Sequence, residues 1–134
     1  MVKTAKASSG KSAKVKHESK HLADLIVSGM QEKKANDIVC LDLRKLKNAV
    51  TDYFIICHAE SRTHIEAIAG AVEEFVQRKN DELPYHREGF ENAEWILLDY
   101  INVVAHIFNR EKREFYNIER LWADADIKKI AENY

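Results

Sequence analysis

Four short runs of apolar and β-branched residues, two on each side of one amphipathic segment, constrain the fold of this chain most strongly. The runs cover residues 37–43 and 52–59 before that segment, and residues 94–100 and 102–108 after it. Residues of these types favour strands, and near-continuous apolar character in the first pair predicts strands covered on both faces. The very short separation within the second pair predicts an antiparallel hairpin. The basic linker 44–51 is likewise hairpin-like.

Three segments have the apolar spacing of helices. The first covers residues 21–34, the second starts after an N-cap at Ser61 and runs to about Lys79, and the third covers residues 112–122. The apolar stripes are Leu22, Leu25, Ile26 and Met30, then Ile65, Ile68, Ala69, Val72, Phe75 and Val76, and finally Phe115, Ile118, Leu121 and Trp122. Residues 80–93 read as a loop or a short extended segment, and residues 123–134 as a polar tail with one or two further helical turns.

The element order is therefore α-β-β-α-β-β-α. This order predicts an α/β (α+β) domain with a mixed sheet of about four to five strands and helices packed on it. A chain of 134 residues that is 46% hydrophobic can bury one core, so we expect one domain over residues 19–122. Residues 1–18 hold almost no large apolar side chains and are predicted to be a disordered, lysine-rich leader, with the polar tail at residues 123–134.

The charge is unevenly distributed along the chain. Residues 1–20 hold six lysines and one glutamate, whereas residues 21–134 hold fifteen basic and twenty-one acidic side chains. An acidic domain disfavours direct contact with nucleic acid and favours a basic partner, such as a ribosomal protein. The leader alone could make a weak RNA contact, or it could be a solvated tail without a partner.

Cys40 and Cys57 lie in apolar runs without metal-site spacing, which is typical of reduced core residues in an intracellular protein. No uninterrupted apolar run reaches about 18 residues, so we expect no membrane segment. A cytoplasmic protein is the favoured interpretation. An organellar address is the alternative, because the opening residues are basic and contain serine.

A search for catalytic or metal-binding motifs finds none that is complete. His58 and Glu60 match half of a zinc-deaminase motif, but the second half, PCxxC, is missing. His17 and His21 have helical metal-ligand spacing but no third ligand nearby. With four glycines and neither a P-loop nor a GxGxxG pattern, a phosphate-binding loop is not expected. We therefore predict no catalytic residues, no metal and no cofactor.

Asp42, Asp52 and Asp99 are the acidic residues that need an explanation, since Asp99 interrupts an otherwise apolar strand. Two-residue periodicity places Asp99 on one sheet face with Trp95 and Leu97, and His106 is expected opposite Asp99 across the hairpin. Three interpretations stay open: a structural Asp–His hydrogen bond, an exposed patch for a protein partner, or a metal or catalytic dyad. A magnesium-dependent nucleotidyltransferase using the three aspartates is the corresponding enzyme hypothesis.

Three segments, taken in order, carry a resemblance to a known family: DYFIICHAESRTHIEAIAGAV, REGFENAEWILLDYINVVAHIF and REFYNIERLW. Together they resemble the Iojap-like ribosomal silencing factors over about residues 20–122. The sequence departs from the family pattern where it has Ala59 in place of a glycine, Gly70 in place of a common aspartate, and Ile101-Asn102 in place of a glycine-aspartate pair. We therefore expect a differently shaped hairpin turn at Ile101.

The resemblance implies a nucleotidyltransferase-like fold without the catalytic motif, and hence no enzyme. It further implies binding to the large ribosomal subunit through large-subunit ribosomal protein fourteen, which sterically prevents the small subunit from joining and represses translation under nutrient limitation. Organellar relatives act in large-subunit assembly, which is the alternative function. Family members often self-associate, so a homodimer is also possible.

Carried over position by position, the resemblance implies a set of partner-binding residues. Trp95, Leu97 and Asp99 are expected to form an open sheet face that meets the partner, with His106 beside them. The residues near the last helix could equally hold that helix on the sheet. The full set is Glu88, Gly89, Trp95, Leu97, Asp99, His106, Arg113, Tyr116, Glu119, Leu121 and Trp122.

Overall fold

The computed structural model describes the backbone of residues 12–134 and the side chains of residues 19–134. Over this range it contains four helices and six strands. The helices are α1 (Ser12–Glu32), α2 (Arg62–Asn80), α3 (Arg110–Tyr116) and α4 (Ile118–Leu121). The strands are β1 (Asn36–Asp42), β2 (Tyr53–Ala59), β3 (His86–Glu88), β4 (Trp95–Asp99), β5 (Val103–Asn109) and β6 (Asp126–Lys129).

All six strands form one mixed sheet in the order β3-β4-β5-β2-β1-β6. Only β2 and β5 pair in parallel, and every other neighbouring pair is antiparallel. The two predicted antiparallel pairs, β1 with β2 and β4 with β5, are confirmed. The sheet has more strands than expected because two short edge strands, β3 and β6, carry no apolar pattern: every residue in both is exposed.

The predicted helical turns in the tail are wrong, because residues of that tail form β6. This strand is held to β1 by backbone pairing, from Val39 opposite Lys129 to Asp42 opposite Asp126. Backbone hydrogen bonds need no particular side chain, so periodicity could not reveal the strand. By contrast, the extended alternative for residues 80–93 is realised in β3.

Helices α1 and α2 cover one face of the sheet, called here the helix-covered face. Ser61 caps α2 by accepting a hydrogen bond from the backbone N–H of His64, as predicted. Gly29 lets the two helices approach closely, since a Cβ at this position would lie 2.7 Å from the Cα of Val72. The predicted stripes of both helices are buried there, with Phe75 partly so. Helix α1 begins at Ser12, earlier than expected, and residues 1–11 of the predicted disordered leader lie outside the described part.

The opposite face, called here the aromatic face, has a smaller core. Its buried residues come from β1, β2, β5 and the C-terminal segment: Val39, Leu41, Leu43, Ile56, Phe108, Ile118 and Ala125. The predicted alternation in β4 is confirmed, since Ile96 and Leu98 are fully buried under the helices while Trp95, Leu97 and Asp99 on the aromatic face are only partly buried. The face is thus covered at one side and partly open around β4.

The predicted single helix over residues 112–122 is wrong. It is divided into α3 and α4 at Asn117, whose φ of 44° is left-handed and whose backbone N–H bonds to the carbonyl of Arg113. Asparagine tolerates this conformation better than most residues and commonly ends helices. The break disperses the predicted apolar stripe: Ile118 is buried, whereas Phe115 and Leu121 are 77% and 76% exposed.

Candidate protein-binding surface

Six aromatic rings meet on the aromatic face and form one contiguous group, called here the aromatic cluster. Trp95 lies at its centre, with ring centroids 4.8 Å from Phe108 and 4.8 Å from Tyr116. The members come from β2, β4, β5 and the C-terminal segment: Phe54, Trp95, His106, Phe108, Tyr116 and Trp122. Aromatic side chains packed at such distances bury a large area with few rotatable bonds, so the cluster is rigid.

The indole of Trp95 is held in one orientation but is only partly buried. Its Nε1–H donates a 3.1 Å hydrogen bond to Nδ1 of His106, and its ring stacks on Phe108 at 27°. Trp95 nevertheless keeps part of its surface in solvent. A tryptophan held in one orientation with one accessible side is suited to contact a partner at low entropic cost.

His106 on the neighbouring strand accepts the hydrogen bond that orients the Trp95 indole. It is buried, and desolvation lowers the pKa of its imidazole to about 3. Because Nδ1 accepts the indole proton, the ring's own proton is on Nε2, for which the described residues supply no hydrogen-bond acceptor. The ring of Phe54 lies 4.6 Å away at 72°. His106 is therefore a neutral positioning group within the cluster.

The expected Asp99–His106 pair is wrong. The strand register places Leu97 opposite His106 and Asp99 opposite Val104. Asp99 instead accepts a 2.7 Å hydrogen bond from the backbone N–H of Ile101 and so closes the hairpin turn. Ile101 in this turn has a φ of 77°, a left-handed conformation that glycine adopts readily and that β-branched residues strongly disfavour.

Glu88 and Gly89 lie where β3 leads toward β4. Glu88 pairs with Leu97 in register, and its carboxylate lies 2.8 Å from Nε2 of His86 on the exposed edge. Gly89 has a φ of 89°, and a Cβ there would lie 1.9 Å from the carbonyl oxygen of Trp95. Gly89 thus allows the close backbone approach that positions Trp95. Glu88 places a carboxylate on the neighbouring edge strand.

Arg113 and Glu119 hold the two short C-terminal helices together. Arg113 is 8% exposed, and its Nε and Nη2 donate to the two carboxylate oxygens of Glu119, each at 3.1 Å. Its Nη1 donates to Nδ1 of His58 at 2.8 Å. Burial, and then the neighbouring Arg113 cation, lower the pKa of His58, which keeps that acceptor neutral.

The C-terminal segment also carries three exposed apolar side chains, one of which belongs to the aromatic cluster. Phe115, Tyr116 and Leu121, called here the exposed rim, are 77%, 46% and 76% exposed. Tyr116 belongs to both groups, since its ring contacts Trp95 as well as Phe115 at 5.1 Å. Trp122, the residue after Leu121, is partly buried and contacts Phe54 within the cluster. Exposed large apolar side chains grouped together mark interaction sites more often than isolated ones do.

The alternative enzyme site is not assembled. Asp42 is paired with Arg44, which lowers the pKa of the carboxyl group, and Asp52 accepts a 2.7 Å hydrogen bond from Ser19. Among the residues with described side chains, no group of three or more His, Cys, Asp or Glu could hold a metal ion. His17, one of the two histidines with ligand spacing, lies outside that range.

This surface combines a rigid aromatic cluster with an exposed apolar rim, and the candidate catalytic carboxylates are paired elsewhere. These features are typical of an α/β protein that binds a macromolecule. No helix within the described residues is long and apolar enough to cross a membrane. The model of the family described as "ribosomal silencing factor during starvation" matches residues 16–133, so the chain belongs to the ribosomal silencing factor family, as the resemblance indicated.

Similar proteins agree with this assignment. A ribosomal silencing factor of Halalkalibacterium halodurans is 36% identical over 104 residues, which are 78% of this chain and 87% of that one. A Mus musculus protein named for mitochondrial assembly of the ribosomal large subunit is 31% identical over 74% of this chain but only 44% of its own length. A crystal structure from Chromobacterium violaceum superposes with a TM-score of 0.73 at 26% identity, covering 86% and 92% of the two chains. The Halalkalibacterium halodurans relative is named as a silencing factor and not as an enzyme.

Sequence reasoning missed several members of this surface. Phe54 is predicted only as part of a strand, although two-residue alternation places it on the same face as Ile56. The same alternation places Phe108 on the face of His106, but Phe108 is not among the predicted partner-binding residues. Phe115 was assigned to the helix stripe and not to the exposed rim. His58 could not be connected with Arg113 from the sequence, because 55 positions separate them.

Proposed function

We propose that this chain represses translation under nutrient limitation by binding the large ribosomal subunit in the cytoplasm. In this proposal it docks on large-subunit ribosomal protein fourteen and sterically prevents the small subunit from joining. Family membership supports an action on the ribosome. A binding surface without an assembled catalytic group is what steric blocking requires.

The observation that carries the proposal is the exposed rim beside the half-buried Trp95. Tryptophan and tyrosine dominate the binding energy of protein interfaces when a rigid scaffold presents them. Trp95 is held by a hydrogen bond and by stacking, and Tyr116 packs against it. We therefore assign Trp95, Leu97, Tyr116 and Leu121 as the contact residues, with Phe115 added by the structure.

Charge around this surface favours a cationic partner. The carboxylates of Glu88, Glu94 and Glu114 are largely exposed, at 63%, 54% and 75% of their side-chain surface, and stay accessible to a partner although His86, Lys112 and Arg110 lie 2.8, 4.0 and 4.0 Å from them. Such border charges contribute mainly to the association rate and to partner choice. Asp99 and Glu88 are assigned to this role, whereas Gly89, His106, Arg113, Glu119 and Trp122 hold the surface in shape.

Pelleting with purified large subunits tests the proposal. We expect the wild-type chain to co-sediment with large subunits and to inhibit joining of small subunits. Trp95→Ala should weaken binding by roughly 2 kcal/mol or more, because a central indole is lost. Leu121→Ala should also weaken it, while Leu83→Ala is the matched control, since Leu83 is 62% exposed in the connection between α2 and β3.

Two results would reject the proposal. One is no co-sedimentation of the wild-type chain at micromolar concentration. The other is equal binding by Trp95→Ala, Leu121→Ala and Leu83→Ala, which would place the contact elsewhere. Analytical sedimentation of the free chain tests for a homodimer. If the exposed rim serves self-association, Leu121→Ala shifts the chain toward monomer without changing its affinity for large subunits.

A second candidate function is assembly of the large subunit, favoured by the name of the Mus musculus relative. The two functions differ in the particle that is bound. A silencing factor binds mature large subunits and leaves their maturation unchanged, whereas loss of an assembly factor leads to accumulation of incomplete large subunits. Gradient profiles of cells lacking the protein distinguish the two.

A further inference from the structure

The exposed rim lies on two helices that cannot hold a fixed geometry alone. Helix α3 has seven residues and α4 has four, well below the length at which an isolated helix is stable in water. The junction between them, Asn117, makes no side-chain cap hydrogen bond to α4. Another interaction must therefore set the angle between Phe115 on one helix and Leu121 on the other.

Arg113 is the side chain that spans this junction. Its planar guanidinium engages both oxygens of Glu119 across Asn117, with N···O distances of 3.1 Å. A bidentate pair fixes orientation as well as distance, which a single point charge cannot do. The pair therefore restrains how α4 is turned relative to α3, in addition to the packing of Ile118 in the core of the aromatic face.

The same guanidinium connects this helix pair to the sheet. Nη1 donates to His58 at the end of β2, and it lies 3.5 Å from the backbone carbonyl of Asn36 at the start of β1. Arg113 thus joins its own helix to three other elements while being nine-tenths buried. Burying an arginine costs folding free energy unless its guanidinium is paired, so the contacts of Arg113 are needed at this position.

We propose that Arg113 is a positioning residue for partner binding: by joining α3, α4 and the strand ends, it fixes the spacing of Phe115, Tyr116 and Leu121. This inference rests on the proposed function, because it assigns that geometry to recognition of the large subunit. Arg113 itself need not touch the partner.

Arg113→Lys tests the inference, because lysine keeps the charge but lacks the planar fork. We expect the folded variant to lose roughly tenfold in affinity for large subunits, mainly through faster dissociation. Glu119→Gln, which keeps the shape, is the second variant in case Arg113→Lys fails to fold. The matched control is Arg87→Lys, since Arg87 makes the same fork with Glu73, at 2.8 and 3.0 Å, on the helix-covered side.

A distance measurement on the free protein separates positioning from mere stability. Spin labels at Phe115→Cys and Leu121→Cys, in a Cys40→Ala background, report the spacing between the two helices. The Cys57 thiol stays unlabelled, because burial raises its pKa to about 12. We expect one narrow distance distribution with Arg113, a broad one in Arg113→Lys and Glu119→Gln, and no change in Arg87→Lys.

Unchanged affinity in folded Arg113→Lys and Glu119→Gln overturns the inference, as does an unchanged distance distribution. If the wild-type chain does not bind large subunits, the proposed function fails and with it the recognition role. The distance distribution then still decides whether Arg113 sets the geometry of the two helices.

Discussion

The two faces of the sheet are built differently. The helix-covered face is sealed by two long helices over aliphatic side chains, many of them fully buried. The aromatic face is covered by two helices of seven and four residues, and it combines rings, a neutral histidine and a partly buried ion pair. The helix-covered face contributes mainly to the stability of the fold, whereas the aromatic face leaves aromatic and apolar side chains accessible to a binding partner. We therefore expect substitutions on the two faces to separate folding from binding.

The glycine that positions Trp95 should show the largest effect on stability. Gly89→Ala forces a Cβ to within 1.9 Å of the Trp95 carbonyl oxygen at a φ of 89°, so we expect a loss of roughly 4 kcal/mol or more in the free energy of unfolding. Gly70→Ala is the control, because a Cβ there meets nothing within 4 Å on an exposed helical position. It should stabilise the fold by about 0.5–1 kcal/mol. Urea unfolding measures both, and a mild Gly89→Ala phenotype would contradict the close approach.

A pair of substitutions on neighbouring strands tests the comparison of faces directly. Ile107→Ala removes a fully buried side chain under the helices and should cost about 3 kcal/mol of stability. Leu97→Ala on the aromatic face removes a half-buried side chain and should cost about 1 kcal/mol. Pelleting of the folded fractions should show the opposite order, with Leu97→Ala binding large subunits more weakly. Equal losses of both stability and binding in the two variants would mean that the faces are not functionally distinct.

Stability should also depend on pH through the aromatic face. His106 keeps its neutral form down to a pKa of about 3 in the folded chain, whereas the unfolded chain takes up the proton near pH 6.5. The folded state therefore loses stability as pH falls below about 6.5, by about 2 kcal/mol between pH 7 and pH 5. The lowered pKa of His58 acts in the same direction.

Urea unfolding of wild type and His106→Gln at pH 7 and pH 5 measures this dependence. Glutamine can still accept the Trp95 hydrogen bond but does not titrate, so the variant should lose clearly less stability on acidification. Identical pH dependence in the two proteins would show that the imidazole is not held neutral.

The smallest effect is expected at the hairpin turn. Ile101→Gly relieves the left-handed strain at a φ of 77° and should stabilise the chain by about 1 kcal/mol. Ile101→Ala keeps a Cβ and hence most of the strain, so thermal unfolding should separate the two variants. Equal melting temperatures would mean that the strain is relieved elsewhere.

The elements that were predicted correctly are those in which the local sequence pattern shows which side chains are buried and where the element begins. The stripe of Ile65, Ile68 and Val72 and the cap at Ser61 identify α2 locally, and alternation in β4 distinguishes its two faces. The elements that were missed depend on distant partners. Strand β6 exists only because the edge of β1 is available, and Asp99 is satisfied by its own turn and not by His106.

The candidate surface was predictable in part for the same reason. Alternation in β4 and the family resemblance both identified Trp95, the resemblance alone identified Tyr116, and the structure brings the two rings together. The break at Asn117 was not anticipated, because a helical spacing continues across it. That break turns Phe115 and Leu121 outward, and no local pattern encodes the Arg113 contacts that fix the result.

The pairing of β6 with β1 joins the last strand of the described chain to the first, as Asp42 opposite Asp126 illustrates. During synthesis, the backbone groups along that edge of β1 have no strand to pair with until nearly all of the described chain has emerged. Closing so distant a contact is slow compared with forming α2 or the β4–β5 hairpin. We therefore expect newly made copies to expose this sheet edge until β6 is in place, and we expect crowding of nascent chains to favour mispairing at it.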